Sequence, residues 1–265
     1  MIPENSSKKI VLMSYIDTVD WAEALHRLTR WGQGHVSAYV TICNVHVVAS
    51  AYMDPDYSKI INNSDMATPD GAPVAWYLRR LGVQGQERIN GPDLMWRYCE
   101  LTLNQSRVDG GVPSIYLYGG KQETLDVLQS TLREKFPQLV IAGSCSPPFR
   151  PLTPEEDQKI IDDINTSGAG VVWVSLGCPK QERWMAEHKG KIHAVMVGVG
   201  AAFDYHAGTL KRAPLWMQKS GLEWTYRFFK EPRRLWKRYL VTNTIFVTQG
   251  LIQLIRIKFF EAKIL

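Results

Sequence analysis

Residues 171–200 read VVWVSLGCPKQERWMAEHKGKIHAVMVGVG. The run at 171–176 is short, apolar and rich in valine, as is the run at 194–199. Between them, Gly177-Cys178-Pro179 makes a turn. It opens a segment at 179–188 with the mixed charge and spacing of a helix. Strand, helix and strand in this order predict two parallel strands joined by a crossover. Neither apolar run alternates with polar residues, so both strands are expected to be buried on both faces.

The alternation continues outward from this stretch. Strand-like runs stand at 9–16, 38–44, 114–118 and 139–143. Helical patterns intervene near 20–31, 45–62, 72–81, 92–104, 121–135 and 153–166. Thr153-Pro154-Glu155-Glu156 supplies an N-cap, a first-turn proline and acids at the positive end of the helix dipole. The predicted fold class is α/β: a mostly parallel, doubly wound sheet with helices on both faces. Ligands of such sheets sit beyond the carboxyl ends of the strands, so function is sought in the loops there.

The chain's 265 residues can bury a substantial core without disulfides or metals. With 45% hydrophobic and 22% charged residues, it is not a disordered, collagen-like or coiled-coil chain as a whole. Cys43, Cys99, Cys145 and Cys178 form no CxxC pair, which argues against a disulfide framework and a structural zinc site. The first twenty residues hold too short an apolar run for a signal peptide. No window of about 18 uninterrupted apolar residues predicts a transmembrane helix. The expected compartment is a reducing cytoplasm.

Charge is unevenly placed. The net charge is +5, yet residues 211–265 carry 12 Lys or Arg against 3 acids, and residues 1–210 carry 19 against 23. An acidic body with a basic tail suits an anionic partner for the tail: nucleic acid, phosphate groups or anionic lipid. From 213 onward only helices are predicted, at 213–220, 222–230 and 232–260, broken at Gly221 and Pro232. In the last of these, Thr242, Gln249, Gln253, Arg256 and Lys263 fall on one polar stripe. Ile245, Phe246, Val247, Leu251, Leu254, Ile255 and Phe259 occupy the broad remainder. Such a helix either packs on its own domain or lies in a membrane interface.

Several residues are candidates for chemistry. Tyr118-Gly119-Gly120, Leu176-Gly177-Cys178 and Gly198-Val199-Gly200 each end a strand-like run. Such glycines either make packing turns or present N–H groups to phosphate. Gly198-Val199-Gly200 comes late and lacks the third glycine of a dinucleotide fingerprint, so it is weak evidence for a nicotinamide-dependent oxidoreductase. Thr68-Pro69-Asp70-Gly71 is a turn between helical patterns. Its Asp70 is either a cap or a carboxylate held rigidly as a general base. Thr41 and Asn44 close a strand and either face a site or cap the next helix. His46, among apolar residues, reads as a core histidine. Asp54-Pro55-Asp56 reads better as a helix cap than as a metal–nucleotide motif. In the tail, Arg227, Arg234, Lys237 and Arg238 either gather as phosphate-binding forks or form a solvated basic face. Trp216, Trp224 and Trp236 between them suit a bilayer interface.

Together these segments resemble the WecG/TagA/CpsF glycosyltransferase family. The matching pieces are TICNVHVV (41–48), TPDGAPVAW (68–76), ERINGPDL (87–94), YLYGG (116–120), SPPF (146–149), GCPKQERWM (177–185), GVGAAFDYHAG (198–208), KRAP (211–214) and GLEWTYRFFKEPRRLWKRYL (221–240). Each is modest alone; nine in order are specific, and they cover nearly the whole chain.

The resemblance implies a bacterial cytoplasmic enzyme, peripheral on the inner face of the plasma membrane. It would move a hexose, an N-acetylhexosamine or its uronic acid from a UDP-sugar to a polyprenyl-diphosphate-linked saccharide, inverting the anomeric centre. It implies a Rossmann-like UDP-sugar-binding body at 1–210 and a helical membrane- and acceptor-docking appendage at 211–265. Asp70 matches the family's general base and Thr41 its active-site threonine. Asn44, Gly119, Gly120, Gly177, Gln181, Gly200 and Asp204 fall in motifs lining the nucleotide-sugar pocket. Arg227 and Arg234 match arginines that meet the lipid diphosphate; Lys237, with Arg238 beside it, stands at a third such position. The implied partners are the UDP-sugar, the lipid-linked acceptor and an anionic membrane surface. No cofactor, obligatory metal or nucleic acid is implied. The donor sugar and the oligomeric state are not legible.

Overall fold

The computed structural model describes residues 7–103 and 110–261. Contacts divide the chain into two compact units. The first comprises residues 1–20, 42–89 and 212–265, and the second residues 21–41 and 90–211. A six-stranded parallel sheet flanked by helices forms the scaffold. In order along the sheet its strands are β4 (Met66–Pro69), β3 (Ala38–Cys43), β8 (Val195–Gly198), β7 (Val171–Ser175), β5 (Ile115–Gly119) and β6 (Ile141–Cys145).

In the second unit β7 lies between β8 and β5, with Val172 opposite both Met196 and Tyr116. Every residue of β5 and β8 is buried, which explains their unbroken apolar runs. Helices α1 (Trp21–Gln33), α6 (Gln122–Lys135), α7 (Pro154–Ser167) and α8 (Lys180–His188) connect or flank these strands. The start of α7 is fixed locally: the Thr153 hydroxyl accepts from the Glu156 N–H, and the Glu156 carboxylate accepts from the Thr153 N–H. A short helix, α9 (Ala202–His206), follows β8 where sequence periodicity shows none.

The first unit holds most of the departures from the sequence-based expectations. The expected strand at 9–16 is a hairpin of β1 (Lys8–Val11) and β2 (Ser14–Asp17), outside the main sheet. Leu12 turns the chain with φ 57, a conformation no sequence pattern announces for leucine. The buried Asp17 carboxylate accepts from the Ala67 N–H at 2.8 Å and lies 3.5 Å from the Lys8 amine. The expected helix at 45–62 is two helices, α2 (Val45–Met53) and α3 (Pro55–Asn62). Proline disfavours helical conformation in the residue before it, so Asp54 ends α2 and caps α3 by accepting from the Asp56 and Tyr57 N–H groups. Strand β4 falls where only a turn is expected; it is four residues long, and its proline is tolerated because it lies at the sheet edge. Helix α4 (Ala72–Arg80) follows β4, and α5 (Gly91–Glu100) opens the return to the second unit, capped by Asn90.

The tail forms α10 (Leu215–Lys219), α11 (Glu223–Lys230) and α12 (Pro232–Glu261), with the breaks at Gly221 and Pro232 where expected. Part of the polar stripe of α12 faces the protein. The Tyr52 hydroxyl donates to Gln249, and the Tyr77 hydroxyl donates to Gln253. Gln253 also accepts from the Leu12 N–H and donates to the Ile10 carbonyl. Thr242, Phe246 and Gly250 are buried on this side, whereas Val247, Leu251, Ile252, Ile255 and Phe259 are exposed. Lys263 of the expected stripe lies outside the described residues. By length and composition, α12 could cross a membrane, although it contains no run of about 18 uninterrupted apolar residues.

Candidate active site

The body residues matched to the family's site stand on strands or in the loops and first helical turns that follow them. In the first unit, Asn44 and Asp70 follow β3 and β4. The Asp70 N–H donates to the Cys43 carbonyl at 3.0 Å, tying these two strand ends together. Asn44 caps α2: its Oδ1 accepts from the Val47 N–H at 3.1 Å, which leaves its Nδ2 directed at Asp70 Oδ2, 3.5 Å away. Thr41, which ends the 21–41 segment of the second unit, is buried on β3. Gly71, with φ 80, starts α4 and donates its N–H to the Asp70 side chain.

Arg88 comes to this corner through the backbone. The Ile89 N–H donates to the Pro69 carbonyl at 2.7 Å, and the Thr68 hydroxyl donates to the Ile89 carbonyl at 3.2 Å. Arg88 Nη1 then meets Glu223 Oε2 at 3.2 Å, while Arg212 Nε meets Glu223 Oε1 at 3.3 Å. Burial, reinforced by the Glu223 charge, pushes the Asp70 carboxyl up to about 6; Arg88, Asn44 and the Gly71 N–H oppose it. Asp70 is therefore largely ionised near neutrality yet far more basic than a free aspartate, as a general base requires. Burial and the Arg238 charge pull His46 down to about 4, so it is neutral near pH 7.

In the second unit, the glycine loops are lashed to one another. Gln181 Oε1 accepts from the Gly177 N–H at 3.2 Å and from the Gly200 N–H at 3.1 Å. The Ser175 hydroxyl donates to the Gly200 carbonyl, and the Gly120 N–H donates to the Ser175 carbonyl. The N–H groups of Gly120, Gly177 and Gly200, considered above as phosphate donors, are thus taken up within the unit. Gly119 has φ 111, and a Cβ there would lie 2.4 Å from the Ser175 carbonyl oxygen, so only glycine fits. Asp204, at α9, accepts from the Thr209 hydroxyl at 3.3 Å.

The tail bases are dispersed along two helices. Arg227 is partly buried on α11, while Arg234 is exposed and pairs with Glu231 at 2.7 Å. Lys237 is exposed and lies over the Trp236 ring; Arg238 is partly buried and lies over the Tyr239 ring. Among the described residues, none of Arg227, Arg234 and Lys237 is ion-paired with Asp70. The charges that reach Asp70 are Arg88 and Glu223, to which sequence reasoning assigned no role. The signal was present: Arg88, Arg212 and Glu223 each lie in a matched segment, ERINGPDL, KRAP and GLEWTYR. Without the fold, an arginine in such a segment looks like any surface base. Among the described residues, no group of three or more His, Cys, Asp or Glu side chains is placed to hold a metal ion.

Known proteins give this arrangement its context. Over 206 residues, the chain is 29% identical to an N-acetylglucosaminyldiphosphoundecaprenol N-acetyl-beta-D-mannosaminyltransferase of Bacillus subtilis (strain 168), covering 77% of this chain and 76% of the relative. Residues 10–259, from within β1 to the last turn of α12, match the glycosyl transferase WecG/TagA/CpsF family, and the chain belongs to that family.

Proposed function

We propose that this glycosyltransferase moves a hexose, an N-acetylhexosamine or its uronic acid from a UDP-sugar to a polyprenyl-diphosphate-linked saccharide in bacterial surface-polysaccharide assembly. The observation that carries the reading is the Asp70 carboxylate after β4, tied to the end of β3 through its N–H, faced by the Asn44 amide and raised to about 6 by burial. Asp70 takes the proton of the acceptor hydroxyl as that oxygen bonds to the anomeric carbon. The bond to UDP breaks on the opposite face, UDP leaves with the electron pair, and the configuration inverts. Asn44 orients the carboxylate, and Thr41 lies three residues upstream on β3. The relative's name supports a diphosphate-linked GlcNAc acceptor and an N-acetylmannosaminyl donor group. With three glycine N–H groups engaged internally, arginine forks are the stronger candidates to meet diphosphate charge.

The tail, 211–265, serves as the membrane- and acceptor-docking segment, with Arg227, Arg234, Lys237 and Arg238 holding the lipid diphosphate. The outward apolar face of α12 and the exposed Trp216, Trp224, Phe229 and Trp236 support an enzyme peripheral on the inner face of the plasma membrane. The test is a panel of UDP-sugars with a lipid-diphosphate acceptor, reading UDP release, alongside thermal shifts with UDP and with NAD. Sugar-dependent UDP release and stabilisation by UDP are expected. Stabilisation by NAD alone, with no transfer from any UDP-sugar, overturns the proposal.

A further inference from the structure

We propose that Glu223 is a positioning residue that sets the Asp70 site: it holds Arg88 off Asp70 and yokes it to Arg212, so that the seating of α11 decides whether the base is available. The proposal rests on reading Asp70 as the base. Arg88 has two carboxylates in its surroundings, Asp70 and Glu223. It makes its ion pair with Glu223 and acts on Asp70 only through its field. A guanidinium bound directly to Asp70 would occupy the carboxylate lone pairs and stabilise the ionised form, leaving a weaker base. Glu223 avoids this by offering one oxygen to Arg88 and the other to Arg212. All three side chains are about four-fifths shielded from solvent, so the contact is not a loose surface pair.

Glu223 lies 135 residues from Arg88 in the chain, so only docking of the tail can bring it there. The turn before α11 is built for that docking. Gly221 has φ 72, and a Cβ on it would stand 2.5 Å from the Cβ of Ala72, which opens α4 two residues after Asp70. The bare glycine lets α11 approach this closely. The groups acting on Asp70 are Glu223 from α11, Arg88 from the loop before α5, the neutral Asn44 at the start of α2 and the Gly71 N–H; Arg212 acts through Glu223.

The experiment is a pH–rate profile of kcat/KM for the lipid-linked acceptor, on the full chain, for wild type, Glu223→Gln, Glu223→Asp and Arg88→Gln. UDP-induced thermal shifts are measured on the same preparations. Wild-type activity should rise with pH through about 6, the position of the Asp70 carboxyl. In Glu223→Gln the raising charge is gone and Arg88 is released, so the rise should move to lower pH and the plateau fall about tenfold or more. Arg88→Gln removes the lowering charge, so its rise should move to higher pH. Glu223→Asp keeps the charge and should retain the wild-type position with a smaller loss. UDP stabilisation should persist in all four. The proposal is overturned if the rise stays in place in Glu223→Gln, if Gln and Asp at 223 behave alike, or if Arg88→Gln shifts the same way as Glu223→Gln. Should Glu223→Gln fail to fold, the direction of the Arg88→Gln shift decides. An active Asp70→Asn would remove the base reading itself; an inactive Asp70→Asn with unmoved profiles removes only the role of Glu223.

Discussion

The strand ends of the two units occupy the same topological position and are built on opposite principles. In the second unit, the loops after β5, β7 and β8 satisfy one another: Ser175 and Gln181 take up the glycine backbone groups, and close approach leaves no room for a Cβ at Gly119. In the first unit, the loops after β3 and β4 carry a partly buried carboxylate and an amide aimed at it, and Arg88 is paired with Glu223 of α11. In the second unit the polar groups are matched among neighbouring loops; in the first, one carboxyl is raised by burial and by a charge from another element.

The sharpest way to break this contrast is at Asp70. Asp70→Asn should fold and bind UDP but lose roughly 10²–10⁴-fold in transfer rate, the scale of a missing general base. Near-wild-type turnover in a coupled UDP-release assay would remove the carboxylate from the chemistry. The matching change in the second unit is Gly119→Ala, which forces a Cβ against a carbonyl at positive φ. It should lower stability by about 2–4 kcal/mol, seen as a shifted urea midpoint. A stable Gly119→Ala enzyme would mean that the Ser175 backbone can give way.

Smaller effects sharpen the comparison. If the tail bases hold the acceptor diphosphate, Arg234→Ala should raise the acceptor KM by roughly 10- to 150-fold and leave UDP affinity unchanged. Its pair with the neighbouring Glu231 is exposed and adds under about 1 kcal/mol to stability, so melting should barely move. Collapse of UDP affinity instead would assign the residue to the donor or the fold. The smallest predicted change needs no mutation. A carboxyl at about 6 is roughly nine-tenths ionised at pH 7 and one-tenth at pH 5, so transfer should fall about tenfold between them. A rate flat across that range contradicts a titrating Asp70.

The tail repeats the lesson on a larger scale. An amphipathic helix beside a soluble body is expected to bury its apolar stripe and expose its polar one. In α12 the glutamines are turned inward because Tyr52, Tyr77 and the hairpin backbone offer them partners, and the apolar side is left outward. Replacing Leu251 and Ile255 by Glu should weaken binding to anionic vesicles and leave the fold intact, whereas Gln253→Leu should act on the fold through the lost Leu12, Ile10 and Tyr77 contacts. Equal vesicle binding by the Leu251/Ile255 variant would argue against an interfacial role for that face.

Sequence alone determined what is local. Buried strands, the Thr153–Glu156 cap, the breaks at Gly221 and Pro232 and the basic tail are all legible because their causes lie within a few residues of each other. Asp70 reads locally only as a cap or a base; its choice as the base comes from the family resemblance. Short elements escaped. The β1–β2 hairpin turns on a left-handed leucine, and β4 contains a proline that is acceptable only at a sheet edge. Tertiary structure alone decided the electrostatics of the site. Glu223, Arg212 and Arg88 are ordinary charged residues until the tail folds back beside β4. Only then does one carboxylate lie between two guanidiniums and raise the basicity of another, because burial and proximity, rather than residue type, decide where a proton resides.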